Sequence, residues 1–153
     1  MPDRATSPVL GIVLLLVVTV ALAGAVGTAA LGTTLPSDSP RAAIGLQIDA
    51  DANRLTFVHR GGDGLDASEL SVQVRIDGTA LDSQPPVPFF SASGFRPGPT
   101  GPFNTADDGE WTAGETASFR IAGTNDPLIS EGSAVEVTIS VGGSVVAELD
   151  GTA

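Results

Sequence analysis

The chain predicts a long N-terminal hydrophobic α-helix followed by an all-β antiparallel sandwich. Three observations carry this. No charged residue occurs between Arg4 and Asp38, and the interval is almost wholly aliphatic or small. After Asp38 the apolar residues recur with period two, the signature of half-buried strands. The segments between these runs are rich in Gly and Pro, and no second helical period interrupts them, which favours packed sheets over a helical bundle.

The first element is long enough to cross a bilayer. A helix over residues 8–31 rises about 36 Å at ~1.5 Å per residue, against a hydrocarbon core of roughly 30 Å. Ser7 and Pro8 read as its start, Ser as N-cap and Pro at the first helical position, where a missing N–H costs nothing. Gly32 and Pro36 read as its end. The division expected is a leader at 1–4, a helix at 5–34, a linker at 35–41 and a head domain at 42–153 with a long loop at 82–109. Small residues gather toward the C-terminal half of the helix, and Gly24 and Gly27 would let a second helix approach closely. Arg4 before the span places the N-terminus in the cytoplasm and the head outside. Two fates of the segment follow from the residues themselves. It is either a retained anchor or a secretory signal cut after Ala21-Leu22-Ala23. The second leaves the apolar stretch beyond Ala23 without a purpose.

The residues around Arg4 also carry a resemblance. Arg4-Ala5-Thr6-Ser7-Pro8-Val9-Leu10-Gly11, followed by an aliphatic run, resembles the N-terminal segment of archaeal type IV pilins, especially haloarchaeal ones, over about residues 4–32. The resemblance implies cleavage by a prepilin peptidase between Arg4 and Ala5, with Ser7, Pro8, Val9 and Gly11 forming the recognition region. It implies that the helix stays on the mature protein and later leaves the membrane to bundle as a filament core. The head would then be an Ig-like pilin head. Bacterial type IV pilins carry Glu at the fifth mature position. Val9 stands there, so pairing of that Glu with a neighbour's amino terminus is not available.

Charge narrows the partners. The net charge is −11, all seven basic residues are Arg, and Lys is absent. Such a surface repels nucleic acid and anionic lipid headgroups. Many carboxylates without Lys is a composition associated with salt-loving archaea; an acidic surface alone is the plainer reading. The absence of Cys excludes disulfides and Cys-based metal sites.

Strands are expected at 44–48, 55–59, 70–76, 117–121 and 135–141. The last should form a hairpin with the residues after Gly142-Gly143. A two-residue loop would set Val137 opposite Glu148 and bury a charge. A three-residue loop pairs Val141 with Val145, Ile139 with Ala147 and Val137 with Leu149, so a three-residue loop with one left-handed Gly is expected. Loop 82–109 holds Phe89, Phe90, Phe95 and Phe103. They are read as plugging one end of the sandwich or as a subunit contact.

Candidate chemistry is thin. His59, the single histidine, falls on the apolar face of a strand and reads as packed. Asp49-Ala50-Asp51-Ala52-Asn53 begins like a calcium loop but has Arg54 and Arg60 where Gly and Glu are needed, so it reads as a turn. Asp107-Asp108-Gly109-Glu110 reads as a solvated turn. No catalytic residue, metal ligand or cofactor is expected. The expected function is a structural subunit of a surface filament used in adhesion, with the membrane, other pilins, the prepilin peptidase and the assembly machinery as partners. The alternative is a membrane-anchored extracellular binding module that does not polymerise.

Overall fold

A computed structural model describes residues 6–31 and 38–153, without the side chains of 6, 7 and 28–31. The chain divides into two compact units, one up to Asp38 and one from Ser39 to Ala153.

Helix α1 (Thr6–Leu31) lies in the first unit. Its Leu, Val and Ala residues are good to moderate helix formers, and no face is polar. The helix already includes Thr6, so Ser7 is not its N-cap, as the sequence suggested. Pro8 sits in the first turn, whose N–H groups have no intrahelical partner, so the ring is tolerated there. The expected helix end and linker residues 32–37 lie outside the described residues.

The second unit contains β1 (Ala42–Asp49), β2 (Arg54–Gly62), β3 (Leu65–Asp66), β4 (Leu70–Ile76), β5 (Thr79–Ala80), β6 (Glu110–Trp111), β7 (Thr116–Arg120), β8 (Ala134–Val141) and β9 (Ser144–Thr152). All pairings are antiparallel. One sheet has the order β1-β2-β7, the other β5-β4-β8-β9, and β3 pairs with β6 as a short ribbon. Each sheet presents one apolar face to a shared core. Leu55, Phe57 and Phe119 come from the first sheet, and Val72, Val74, Val137 and Ile139 from the second. This is a helix followed by a β-sandwich. The orders β1-β2-β7 and β4-β8-β9 correspond to A-B-E and C-F-G of the Ig-like plan, with β5 added beside β4.

The β8–β9 turn departs from expectation. Val141 pairs with Ser144, so the loop is the two residues Gly142 and Gly143. Both have positive φ, 55° and 87°, as a type I′ turn requires. A register shift then follows between Ile139 and Ser140, and Val146 is the extra residue. Below it Ile139 faces Ala147 and Val137 faces Leu149, the pairs that keep Glu148 out of the core. A bulge achieves what a longer loop was expected to achieve.

Loop 82–109 is threaded along the sandwich. Arg96 and Thr100 donate backbone N–H groups to the carbonyls of Arg120 and Ser118, which covers the outer edge of β7. On the other sheet, the Gln84 side chain substitutes for a strand. The Val74 N–H donates to its Oε1 at 2.7 Å, and its Nε2 donates to the Val74 carbonyl at 3.0 Å.

Candidate functional site

The feature of α1 that can carry function is its surface. Residues Pro8–Gly27 form a 20-residue stretch long and apolar enough to cross a membrane, with none of it buried within the chain. Leu10, Ile12, Leu15 and Val26 are each more than three-fifths exposed. A helix apolar on every side must be covered by lipid or by other helices. Its one internal hydroxyl among the described side chains is already satisfied, because Thr19 Oγ1 donates to the Leu15 carbonyl at 2.6 Å. Among the described side chains of the helix, no unpaired polar group opposes transfer into an apolar surrounding.

The glycines shape that surface. Among the described residues, and setting aside the helix's own neighbouring backbone, nothing lies within 4 Å of where a Cβ on Gly11, Gly24 or Gly27 would project. Their open side would admit the backbone of a neighbouring helix. Val9 is exposed on the first turns. Arg4 and Ala5, the expected cleavage junction, lie outside the described residues, and of Ser7 only the backbone is described.

Residues 4–44 match the family described as archaeal type IV pilin, N-terminal. The match runs beyond the resemblance read from the sequence, through the linker and into β1 as far as Ile44. No curated protein matches the chain. The matched segment therefore takes in the whole of α1 and the first residues of β1.

The head supplies no second site of the kinds weighed from sequence. His59 is fully buried. Its Nε2 meets the Asp63 carbonyl at 2.9 Å and its ring stands edge-on to Trp111 at 5.7 Å. Asp49 closes the β1–β2 turn by accepting from the Ala52 N–H at 3.0 Å. Asn53, with φ 48°, uses its carbonyl for Ile121 and its Oδ1 for Ile129, so it knots the turn to the β7–β8 connection. Asp107 and Asp108 accept from backbone N–H groups two residues on, as turn residues do. Among the described residues no cluster of His, Asp and Glu is arranged to hold a metal.

The aromatic loop needs a correction. Phe89, Phe95 and Phe103 are 5%, 4% and 0% exposed, so they are core and cannot serve as a subunit contact. Phe103 packs against Phe57 and Trp111 with ring centres 5.5 and 5.2 Å apart, and Phe95 stands edge-on to Phe119 at 5.5 Å. The loop returns these rings to the sandwich because its backbone is bonded to β7. Only Phe90, 62% exposed, remains available to a partner.

Proposed function

We propose that this chain is a structural subunit of a type IV pilus-like filament on the cell surface. One observation supports the reading: a segment matching the archaeal pilin N-terminus coincides with a helix long and apolar enough to cross a membrane. The precursor sits in the membrane with its N-terminus in the cytoplasm and its head outside. A prepilin peptidase removes residues 1–4, and the helices of successive subunits, meeting at Gly24 and Gly27, replace lipid as one another's surroundings. The acidic head stays solvated outside the bundle, where the filament serves adhesion. Nothing in this role calls for catalysis.

Mass spectrometry of the protein purified from its own cells tests the reading. A mature chain beginning at Ala5 is expected. A start at Met1 or Pro2 would mean an uncut anchor that does not polymerise, and a start at Gly24 would mean a secreted head without its helix. Replacing Arg4 and Ala5 together should block processing and filament formation while leaving membrane insertion intact.

A further inference from the structure

The head contains an arginine row that no partner neutralises. Arg54 in β2 lies directly across from Arg120 in β7, and the Arg96 N–H donates to the Arg120 carbonyl on the opposite side. Three cationic residues thus stand on three adjacent backbone segments. Like charges placed opposite one another disfavour a sheet, so the fold retains this row against its own stability. Among the described residues, none of the three guanidinium groups makes a hydrogen bond or ion pair. The other arginines differ. Arg75 donates to the Gly78 carbonyl, and Arg60 lies across the bare Cα of Gly45. Asp49 is the other cross-strand neighbour of Arg54, but its carboxylate is turned into the β1–β2 turn toward Ala52.

The row borders a cavity of about 340 Å³. Thr100 and Ser118 also line it, and their hydroxyls meet at 2.7 Å. One of the two must donate to the other, which leaves a hydroxyl proton free to reorient toward a ligand. Gly98, at φ 76°, carries the wall round without a side chain to fill the space. In a chain of net charge −11, three of the head's five arginines line this one cavity. Planar guanidinium groups with adjacent hydroxyls suit carboxylate and sulfate oxygens, which they can grip in pairs.

We propose that Arg54, Arg96 and Arg120, with the Thr100 and Ser118 hydroxyls, form a binding site for a ligand bearing several oxyanion groups. The groups are carboxylate or sulfate, carried on a free polyanion or on an acidic sugar unit of a polysaccharide. The volume accommodates a small polyanion or a single sugar ring. A second copy of this chain is the less favoured occupant, because two surfaces of net charge −11 repel overall. The site lies within the head and does not depend on whether the helix polymerises.

Calorimetric titration of the full chain in non-ionic detergent micelles tests this, using citrate and polygalacturonate as probes at about 0.15 M chloride, where screening is moderate. Saturable citrate binding is expected. Arg96→Ala and Arg54→Ala should each weaken it at least tenfold. Arg75→Ala removes the same charge elsewhere and should change it less than twofold. Polygalacturonate binding with the same dependence on Arg96 assigns the site to acidic sugars, and citrate binding alone assigns it to free polyanions. Trp111 emission reports that each variant remains folded. Three results overturn the proposal: neither probe binds; Arg75→Ala matches Arg96→Ala, which would mean diffuse charge; or Arg96→Ala abolishes only self-association, which would give the cavity to a second copy.

Discussion

The side-chain amide of Asn125 closes two hydrogen bonds on the backbone of Ser83, 42 residues earlier. The Ser83 N–H donates to Oδ1 at 3.0 Å, and Nδ2 donates to the Ser83 carbonyl at 2.9 Å. Nδ2 also reaches the Gly94 carbonyl at 3.2 Å. Asn125 is buried, so this one side chain pins both arms of the long loop to the β7–β8 connection. Asn125→Ala would leave several backbone groups without partners in a place water reaches poorly, at a cost of about 2–4 kcal/mol. Urea unfolding followed by Trp111 emission measures it. An unchanged midpoint would remove Asn125 from this role.

The phenylalanines of the loop should separate sharply. Phe103 is fully buried among Phe57, Phe119 and Trp111. Phe103→Ala is expected to destabilise the head by about 3–5 kcal/mol. Phe90→Ala, at an exposed position, should stay within about 0.5 kcal/mol of the parent. Comparable losses in the two variants would contradict the placement of these rings.

The β8–β9 turn makes a conformational prediction. Gly142 and Gly143 are exposed with positive φ. Asn accepts this region, so Gly142→Asn should leave stability within about 0.5 kcal/mol. Val does not, and Gly142→Val should cost about 1–2 kcal/mol. Thermal melts of the two variants that overlaid one another would argue against the I′ turn.

Asp66 gives a pH dependence. Its carboxylate accepts from the Ser68 Oγ at 2.6 Å and the Ser68 N–H at 2.8 Å, and these bonds hold its pKa below the usual carboxylate range, the hydroxyl being the larger cause. The folded value lies below the unfolded one. Its stabilising contribution is therefore complete above the unfolded value, roughly pH 4, and is lost as pH falls through the folded value. Ser68→Ala should raise the Asp66 pKa toward the ordinary range. Carbon-detected NMR titration of the carboxyl reads this directly, and an unmoved titration point would refute it.

The legible part of the molecule was whatever burial enforces locally. Leu70, Val72, Val74 and Ile76 alternate because one face of β4 is core, and that alternation is visible in any window of seven residues. The apolar helix was equally plain. Less visible were elements whose partners are remote in sequence. β3, β5 and β6 have two residues each, too few for a period. Loop 82–109 carries no pattern because its bonds go to β7, to Val74 through the Gln84 side chain, and to the Asn125 amide. Sidedness gave the lower pairs of the β8–β9 hairpin but not its turn, since a bulge and a longer loop restore the same faces. The arginine row was hidden for the same reason as the loop. Arg54, Arg96 and Arg120 look unremarkable along the chain, and only strand register sets them side by side.

The treatment of the sheet margins bears on life in a crowd. Gln84 occupies Val74 and the 94–100 segment occupies β7, while β9 carries Glu148 and Asp150 along its length. The outer margins of β1 and β9 keep their amides unpaired by any strand, and charge guards part of the β9 margin. Where heads crowd together, Val74 and β7 are thus closed to edge-to-edge pairing, and the hazard of amyloid-like fusion is confined to the margins of β1 and β9.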